Sequence, residues 1–502
     1  MNLSDLFGIA CARSPAKTAL SLPSGEAAEG GELSYAELFA AARGLAAGLS
    51  ARGLRQGDRV AFFLGNRVEF VLACLAVLHL GAVMVPINLA YRRREVGHML
   101  RDATPRLLLT EASQQGVLAE LAAGDLGSVE ETVLAEDLAS WRGDAAALAT
   151  PSVAGDDLAM ILYTSGTTGR SKGAMISHNN VLASVTGLLG AWAWQPADVL
   201  LLALPLFHVH GLIVGLHSAL AAGATVLLRR RFEAAEALDE MARRGVTVFF
   251  GVPTLYVRLV EELRRRVTPP DLRAVRLFCS GSAPLAPETF TAFQELTGHA
   301  ILERYGMTET GMNLSNPYAG PRVPGQVGTP LPGVSVRIVD EEGRDVPPGG
   351  VGELLVRGSN VFSGYWQAPG KTAESFTHDA QGRRWFRTGD LARQDPATGA
   401  FSLLGRRHEL ILSGGFNIYP REVEETLTSY PGIREAAVVG RPHPEWGEVP
   451  VAFLVADGPV DQVELTAFCK RQMAAFKVPR DLRFVDALPR NALGKVQKHL
   501  LP

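Results

Sequence analysis

The sequence predicts an α/β protein to which an antiparallel β unit and a smaller mixed unit are added. Through most of its 502 residues, apolar helical patterns alternate with short β-branched runs that end in glycine- and serine-rich loops. From about Val334 onward, apolar and polar residues alternate between turn signals, which is typical of antiparallel strands. A chain of this length exceeds what one compact core accommodates, so we expect two or more domains.

Particular segments support each part of this fold. Residues 246–250 and 275–279 are predicted strands, and the second runs into a loop at 280–284. Loops at the carboxyl ends of parallel strands are where α/β sheets bind ligands. The run 334–339 predicts a strand of the antiparallel unit, and a helix is expected to begin near Pro420, a residue suited to a first helical turn.

Composition and charge exclude several classes of protein. Hydrophobic residues make up 47% and charged residues 20%, and the formal net charge of −3 gives no electrostatic footprint for nucleic acid. The apolar stretches 70–85 and 211–228 contain histidines and are interpreted as buried helices that run into buried strands, not as membrane spans. Four widely separated cysteines fit a reducing compartment, and residues 1–10 lack the charge pattern of a signal peptide. We expect a cytoplasmic protein with no membrane, nucleic-acid or protein partner.

The segment 163–173, YTSGTTGRSKG, is the most informative in the chain. An apolar strand at 158–163 leads into it, and a helical pattern with Ser177 as its N-cap follows it. Small residues let backbone N–H groups approach an anion, hydroxyls add donors, and Lys172 adds a compact positive charge. Lys172 precedes Gly173 instead of following a glycine and preceding Ser or Thr, so this is not a Walker A motif. A polyphosphate site is favoured over the simpler alternative, a flexible polar turn.

Eight short motifs in order resemble the adenylate-forming superfamily of acyl-CoA synthetases, luciferases and peptide-synthetase adenylation domains. They are YTSGTTGRSKG at 163–173, PLFHVHG at 205–211, SGSAPL at 280–285, ERYGMTE at 303–309, TGDL at 388–391, GR at 405–406, SGGFNIYP at 413–420 and LPRNALGK at 488–495. The runs 303–325 and 491–498 are similar to malonyl-CoA synthetases in particular.

The resemblance implies a fold and a division into domains. Residues 1–405 would form a large N-terminal AMP-binding domain of two doubly wound α/β subdomains plus a β-barrel. Residues 406–502 would form a small mobile α+β C-terminal domain that caps the first and rotates between two half-reactions. His408 would lie at the hinge, where the family usually has Asp or Lys, and this departure suggests a pH-sensitive switch.

The resemblance also implies catalytic roles, because a carboxylate must attack the α-phosphate of ATP and the barrier is largely electrostatic. Lys495 matches the catalytic lysine, with an ordinary surface lysine as the alternative. Thr308 would donate to the α-phosphate, and Glu309 would bind Mg²⁺; the alternative is a helix N-terminal Thr/Glu pair. His208 would gate or orient the substrate, unless it is a packed histidine.

Nucleotide and coenzyme contacts follow in the same way. Asp390 would hold the ribose with help from Arg406, and Tyr305 would stack on adenine. The expected ATP-binding residues are Thr164, Ser165, Gly166, Thr167, Thr168, Gly169, Lys172, Gly281, Ser282, Ala283, Pro284, Glu303, Tyr305, Gly306, Asp390 and Arg406. Ser413, Gly414 and Gly415 would line the coenzyme A tunnel, with a simple tight turn as the alternative.

The predicted acid site consists of Arg304, Ser280 and His208. Arg304 stands where many relatives have a small residue, and its planar fork matches a second carboxylate on the substrate. The alternative is that Arg304 pairs with Glu303 or another internal acid. We therefore expect malonate, ATP and coenzyme A to give malonyl-CoA, AMP and pyrophosphate through a malonyl-adenylate, with Mg²⁺ as cofactor and methylmalonate as a second candidate substrate.

Three other functions remain open. The chain could be a CoA ligase for acetate, an aryl acid or another small acid. It could be a non-catalytic nucleotide-binding homologue, which the presence of both Lys495 and Glu309 disfavours. An adenylation domain serving a carrier protein is disfavoured because the sequence ends at Pro502 without a carrier module.

Overall fold

The computed structural model describes residues 2–22, 31–149, 151–164, 171–413, 416–443, 446–473, 475–491 and 494–502. In chain order its α-helices are α1 (Leu3–Arg13), α2 (Tyr35–Ala51), α3 (Val68–His79), α4 (Arg93–Ala103), α5 (Gln115–Ala119), α6 (His178–Ala191), α7 (Ser218–Ala222), α8 (Ala234–Arg243), α9 (Pro253–Arg265), α10 (Pro287–Thr297), α11 (Pro369–Glu374), α12 (Pro420–Thr428) and α13 (Gln462–Gln472).

The strands carry the sheets that position the site. They are β1 (Thr18–Ser21), β2 (Glu32–Ser34), β3 (Arg59–Phe63), β4 (Val83–Pro86), β5 (Leu107–Thr110), β6 (Glu131–Leu134), β7 (Leu158–Thr164), β8 (Lys172–Ser177), β9 (Val199–Leu202), β10 (Thr225–Leu228), β11 (Val248–Gly251), β12 (Leu277–Ser280), β13 (Leu302–Met307), β14 (Gly311–Ser315), β15 (Gln326–Pro330), β16 (Val334–Val339), β17 (Val351–Gly358), β18 (Phe376–His378), β19 (Arg384–Gln394), β20 (Phe401–Arg406), β21 (Ile411–Ser413), β22 (Phe416–Ile418), β23 (Ile433–His443), β24 (Gly447–Ala456) and β25 (Asp481–Phe484).

The first sheet has the order β6-β5-β3-β4-β7-β8 and is parallel except for the antiparallel pair β7–β8. Successive side chains of a strand face opposite sides of a sheet. Val60 and Phe62 accordingly join the core that contains α3, while Ala61 and Phe63 join a second core with Val96 of α4. Helices cover both faces, as the doubly wound subdomain requires.

A second sheet contains the parallel run β13-β12-β11-β9-β10-β1, with β2 antiparallel at its edge. Helices α9 and α10 pack on it and on each other, with the rings of Tyr256 and Phe293 5.3 Å apart. A π-helical segment, His210–His217, leads into α7 and then the buried strand β10. Both stretches tested as membrane spans, 70–85 and 211–228, are therefore a buried helix followed by a buried strand, as predicted. Among the described residues no helix combines the length and apolarity needed to cross a bilayer.

The sheet continues past β13 as the antiparallel strands β14, β15, β20, β19, β17 and β16. Buried side chains from these strands, among them Leu314, Ile338, Leu354 and Phe401, pack into one common core. This is the antiparallel β unit that the sequence pattern after Val334 predicts.

The last unit is a mixed sheet of β21–β25 with α12 and α13 packed against it. Helix α12 begins at Pro420 as predicted, and Val423 and Leu427 bury its apolar side. The Nη1 of Arg421, on the same helix, donates to the Leu403 carbonyl at 2.8 Å and so contacts the strand β20.

The predicted arrangement of strand, loop and helix lacks one strand. The helix that follows the segment 163–173 is present, but it is preceded by a strand, β8, which pairs with β7 from Leu158 to Thr164. Ser177 does cap the following helix α6, since its hydroxyl accepts from the Asn180 backbone N–H at 3.2 Å. The phosphate-loop candidate therefore joins two antiparallel strands and not a strand and a helix.

Candidate active site

Thr308 and Glu309 occupy the tight turn between β13 and β14, not the start of a helix. Glu309 is buried, and its Oε1 accepts a hydrogen bond from the Tyr365 hydroxyl at 3.0 Å. Burial raises the pKa of Glu309, because the charged form loses hydration. Gly306 lies where β13 and β14 cross closely, and a side chain there would overlap the Gly311 carbonyl.

The phosphate-loop candidate is described up to Thr164 and again from Ser171, and Thr164 lies opposite Lys172 in the pairing of β7 with β8. Ser165, Gly166, Thr167, Thr168 and Gly169 lie outside the described residues. The Lys172 ammonium lies 5.3 Å from the centre of the Tyr365 ring.

Helix α4 supports both ends of that segment. The His98 Nε2 lies 2.9 Å from the Ser171 carbonyl oxygen, and the Tyr163 hydroxyl donates to Asp102 Oδ2 at 2.5 Å. His98 and Asp102 are one helical turn apart and so share a face of α4. This pair was not predicted, because nothing local in an amphipathic helix indicates which distant loop the helix supports.

The predicted ribose site is brought together by two paired strands. Asp390 on β19 and Arg406 on β20 are register partners, with Arg406 Nε 2.8 Å from Asp390 Oδ1. The Tyr305 hydroxyl donates to the other oxygen of Asp390. The backbone N–H of Asp390 is bonded to the Thr388 hydroxyl at 3.0 Å, which fixes the carboxylate's position.

Lys495 reaches this group from the C-terminal unit. The Lys495 side chain is in contact with solvent, but the surrounding protein removes part of its hydration. This desolvation and the charge of Arg406 lower the pKa of Lys495. The carboxylates of Asp390 and Glu409 oppose that effect. Gly494 precedes it with φ 74°, and a side chain at Gly494 would lie 2.7 Å from the Thr254 hydroxyl. A glycine is therefore required both for the backbone angle and for the close approach to α9.

Arg304 lies 5% exposed on β13, with its guanidinium against Gly281, where any side chain would overlap it. Its Nε and Nη2 have no hydrogen-bond partner. No carboxylate in the described part of the chain forms an ion pair with it. Burial lowers the pKa of Arg304, yet a guanidinium remains protonated at neutral pH.

Glu303 does not pair with Arg304, because adjacent residues of a strand face opposite sides. Its carboxylate accepts from the Gly325 backbone N–H at 2.8 Å. Burial raises the pKa of Glu303 to about 7, against the opposing effects of that hydrogen bond and the Arg421 charge. Glu303, which is predicted to contact ATP, ties the loop at Gly325 to β13 through this hydrogen bond.

Three more polar groups near Arg304 lack partners. They are the buried Nε2 atoms of His208 and His210 and the hydroxyl of Ser280. His210 Nδ1 lies 3.2 Å from the hydroxyl of Ser282, which itself has a left-handed backbone with φ 71°. Burial lowers the pKa of His208 to about 4, and burial, Arg304 and His208 lower that of His210 further below its ordinary range. Both histidines are therefore neutral at pH 7.

His208, Ser280 and Arg304 were predicted from the sequence, but His210 was not. The available signal was the second histidine of PLFHVHG, which opens the π-helical segment His210–His217. Such segments are frequent at functional sites. The remaining predicted loop residues, Ala283 and Pro284, follow Ser282 after the end of β12.

At the candidate coenzyme A site the structure describes Ser413, which is buried at the end of β21. Gly414 and Gly415 lie outside the described residues. His408, the predicted hinge residue, lies in the short 3₁₀ helix Arg407–Glu409 directly after β20.

The residues at the β13–β14 turn fit a magnesium ion. The described residues hold no group of three or more His, Cys, Asp or Glu side chains placed to bind a metal. Mg²⁺ does not need one, since it commonly takes one or two carboxylates together with phosphate oxygens and water. Glu309 offers a buried carboxylate, and its raised pKa shows that the protein stabilises the negative charge poorly. A bound cation would stabilise that charge.

Comparison with known proteins identifies the family. The AMP-binding enzyme family matches residues 7–366, and the AMP-binding enzyme C-terminal domain matches residues 422–495. The chain is 36% identical over 490 residues to the mitochondrial malonate–CoA ligase of Mus musculus, covering 88% of this chain and 81% of that protein. It is 37% identical over 476 residues to a feruloyl-CoA synthase of Amycolatopsis sp, covering 93% of each.

The crystal structure of ATP-bound MatB from Rhodopseudomonas palustris has the same fold. It aligns with a TM-score of 0.90 at 42% identity and covers 100% of this chain and 98% of that one. The expected architecture of a large N-terminal and a small C-terminal domain is thereby confirmed. The chain belongs to the AMP-binding enzyme family and is an AMP-forming acyl-CoA synthetase.

Proposed function

We propose that this acyl-CoA synthetase is a malonyl-CoA synthetase. In the first half-reaction a malonate oxygen attacks the α-phosphorus of ATP and pyrophosphate leaves, which gives malonyl-adenylate. In the second, the thiol sulfur of coenzyme A attacks the acyl carbon and AMP leaves, which gives malonyl-CoA. The observation that carries the choice of acid is the buried guanidinium of Arg304, whose Nε and Nη2 have no hydrogen-bond partner and which forms no ion pair with a carboxylate among the described residues.

A buried cation without a partner is costly, and a ligand that supplies the missing anion recovers that cost. The Nε and Nη2 donors of Arg304 form one edge of a planar fork, the arrangement that matches a carboxylate. Since His208 and His210 are neutral, Arg304 supplies the positive charge among these groups. A substrate with one reacting carboxylate and one further anionic group satisfies this charge.

The position of Arg304 favours a short diacid. Its guanidinium lies against Gly281, in the loop 281–284 that we assign to the nucleotide. A second carboxylate bound to Arg304 would therefore lie close to the nucleotide and to the reacting carboxylate. An alkyl chain against the same guanidinium would leave it unpaired, which disfavours fatty acids.

The adenylation chemistry is assigned to groups on both domains. Lys495 would lie between the carboxylate and the α-phosphate, and Thr308 would donate to a phosphate oxygen, so that charge developing in the transition state is stabilised. Mg²⁺ bound by Glu309 and phosphate oxygens would supply further neutralisation of the triphosphate. Asp390 and Arg406 would hold the ribose, and Ser413 would face coenzyme A.

A second candidate is a CoA ligase for another small or aryl acid, which the similarity to a feruloyl-CoA synthase keeps open. A substrate panel separates the two. Malonate, methylmalonate, sulfoacetate, acetate and benzoate would each be tested for pyrophosphate release and CoA-thioester formation. We expect kcat/KM for malonate to exceed that for acetate and benzoate by about 100-fold, because only the dianions pair with the buried guanidinium.

The same panel distinguishes a malonyl-CoA synthetase from an aryl-acid ligase, a sulfoacetate ligase and a non-catalytic homologue. Equal or faster use of benzoate would contradict the malonate proposal and favour an aryl acid. Sulfoacetate carries a sulfonate in place of one carboxylate, so its preference over malonate would keep the role of Arg304 but change the substrate. Absence of pyrophosphate release with every acid would indicate a non-catalytic homologue.

We also place the hinge between the two proposed domains, residues 1–405 and 406–502, at His408. Partial desolvation and the nearby cations Arg406 and Lys495 lower the pKa of His408 from 6.5, against the effects of Glu409 and Asp390. Protonated His408 is thus disfavoured in the orientation described, so acidification weakens this orientation relative to one in which His408 is solvated.

We therefore expect the ratio of the two half-reaction rates to stay constant from pH 7 to 8. The pH-sensitive switch suggested by the sequence would then act only at lower pH. Below about pH 6.5 the ratio should shift toward thioester formation, and His408→Gln should abolish that shift. Single-turnover rates of each half-reaction measure it. A change between pH 7 and 8 that His408→Gln removes would contradict the lowered pKa.

A further inference from the structure

Tyr365 lies between β17 and α11, in a segment that the sequence analysis did not single out. The Met175 N–H donates to the Gly364 carbonyl at 2.9 Å, and the Trp366 N–H donates to the Gly173 carbonyl at 2.7 Å. These bonds hold the segment along the edge of β8, the strand that begins at Lys172. Tyr365 is therefore fixed beside the described end of the phosphate-loop candidate.

The Tyr365 side chain contacts Glu309, which the proposed function assigns to the metal, and Lys172, which we likewise assign to the phosphates of ATP. Its hydroxyl donates to Glu309 Oε1 at 3.0 Å, and its ring centre lies 5.3 Å from the Lys172 ammonium. The second distance is within the range of a cation–π interaction. One buried side chain thus joins the carboxylate assigned to the metal and the cation assigned to the phosphates.

The arrangement also keeps these two charges apart. Within the described residues, neither Lys172 nor Glu309 forms an ion pair. A direct pair between them would engage both groups with each other and not with the metal and the phosphates. With the Tyr365 hydroxyl on one carboxylate oxygen, the other oxygen of Glu309 is left for a ligand, and the ring provides an uncharged contact for Lys172.

We infer that Tyr365 is a positioning residue for metal-bound ATP: its hydroxyl orients Glu309 toward the metal, and its ring holds Lys172 toward the phosphates. This inference rests on the roles proposed for Glu309 and Lys172. The alternative is a purely structural tyrosine, since the Tyr365 ring also packs on Phe362 with centroids 4.9 Å apart.

Tyr365→Phe separates the two possibilities, because it removes the hydroxyl and retains the ring and its packing. The readout is the affinity for ATP, measured by calorimetry without acid or coenzyme A, at a series of Mn²⁺ concentrations and in EDTA. We expect the Mn²⁺ concentration for half-maximal enhancement of ATP binding to rise about tenfold, as loss of a residue that orients a metal ligand commonly does. Affinity in EDTA should stay unchanged.

Tyr365→Leu also removes the ring. In addition to the metal effect, the affinity for ATP in EDTA should fall about threefold, since Lys172 loses its cation–π contact. The matched control is Tyr35→Phe, which removes a buried hydroxyl of α2 that donates to the Ala224 carbonyl at 2.7 Å and has no hydrogen bond to Glu309 or Lys172. It should leave the affinity unchanged with and without Mn²⁺.

Glu309→Gln shows which assumption fails if the result differs. If Glu309→Gln loses the Mn²⁺ enhancement but Tyr365→Phe keeps all of it, the inference about Tyr365 is overturned while the metal role of Glu309 stands. If Glu309→Gln binds ATP and Mn²⁺ as the unmodified protein does, the metal assignment and the inference are both overturned. Equal loss of affinity with and without Mn²⁺ in Tyr365→Phe would leave only the structural role.

Discussion

Replacing Arg304 with methionine is expected to lower kcat/KM for malonate by about 100-fold, with the KM for ATP changed by less than about threefold. The substitution removes the guanidinium that would pair with the second carboxylate, and it leaves an unbranched side chain of similar length. The fold should tolerate it, because replacing a buried charge by an apolar residue of similar volume is often neutral. Steady-state rates of pyrophosphate release, with malonate and ATP varied in turn, measure both constants.

Acetate provides the internal comparison, because it lacks the second carboxylate that would pair with Arg304. It should react no more slowly with Arg304→Met than with the unmodified enzyme. Arg273→Met serves as the matched variant, because Arg273 is exposed and contacts Asp271 alone among the described residues. It should leave all rates unchanged. An equal loss for acetate and malonate in Arg304→Met would show that Arg304 supports the site without recognising the diacid.

Replacing Lys495 with alanine is expected to slow adenylate formation by about 1,000-fold, the range seen when a preorganised cation or oxyanion donor is removed. Thioester formation from supplied malonyl-adenylate should continue, because no second anion then attacks the α-phosphate. Malonate-dependent exchange of labelled pyrophosphate into ATP isolates the first half-reaction. Thioester formation from the adenylate shows in the same preparation that the protein is folded.

Lys371→Ala is the matched substitution for Lys495, since Lys371 is an exposed lysine on α11 paired with Glu374. It should retain both half-reactions. Adenylate formation at its original rate in Lys495→Ala would refute the electrostatic mechanism. Loss of both half-reactions in Lys495→Ala would instead assign the lysine a structural role.

The sequence allowed prediction of those site residues whose contact partners also belong to recognisable motifs. Tyr305, Asp390 and Arg406 were expected around one ribose, and the pairing of β19 with β20 brings them together. Contacts between distant segments were not predictable. The hydrogen bonds from Tyr365 to Glu309 and from His98 to Ser171 join residues 56 and 73 positions apart, and no local pattern specifies either.

Two local features were not predicted, for physical reasons. The capping residue Ser177 indicated the start of α6 correctly, but the strand β8, Lys172–Ser177, between the loop and that helix was not recognised. The contact of the Glu303 carboxylate with the Gly325 N–H depends on a loop 22 residues away that the motif around Glu303 does not contain.

The alternation of side chains along β13 has a consequence for how related enzymes diversify. The Glu303 carboxylate contacts the loop at Gly325 and the Tyr305 hydroxyl contacts Asp390, while Arg304 between them faces the other way, toward Gly281. On the proposed function, a single codon change at position 304 would alter the choice of acid and leave the contacts of its two neighbours in place. A designed library at that position would therefore sample new acids without changing the residues proposed to bind ATP.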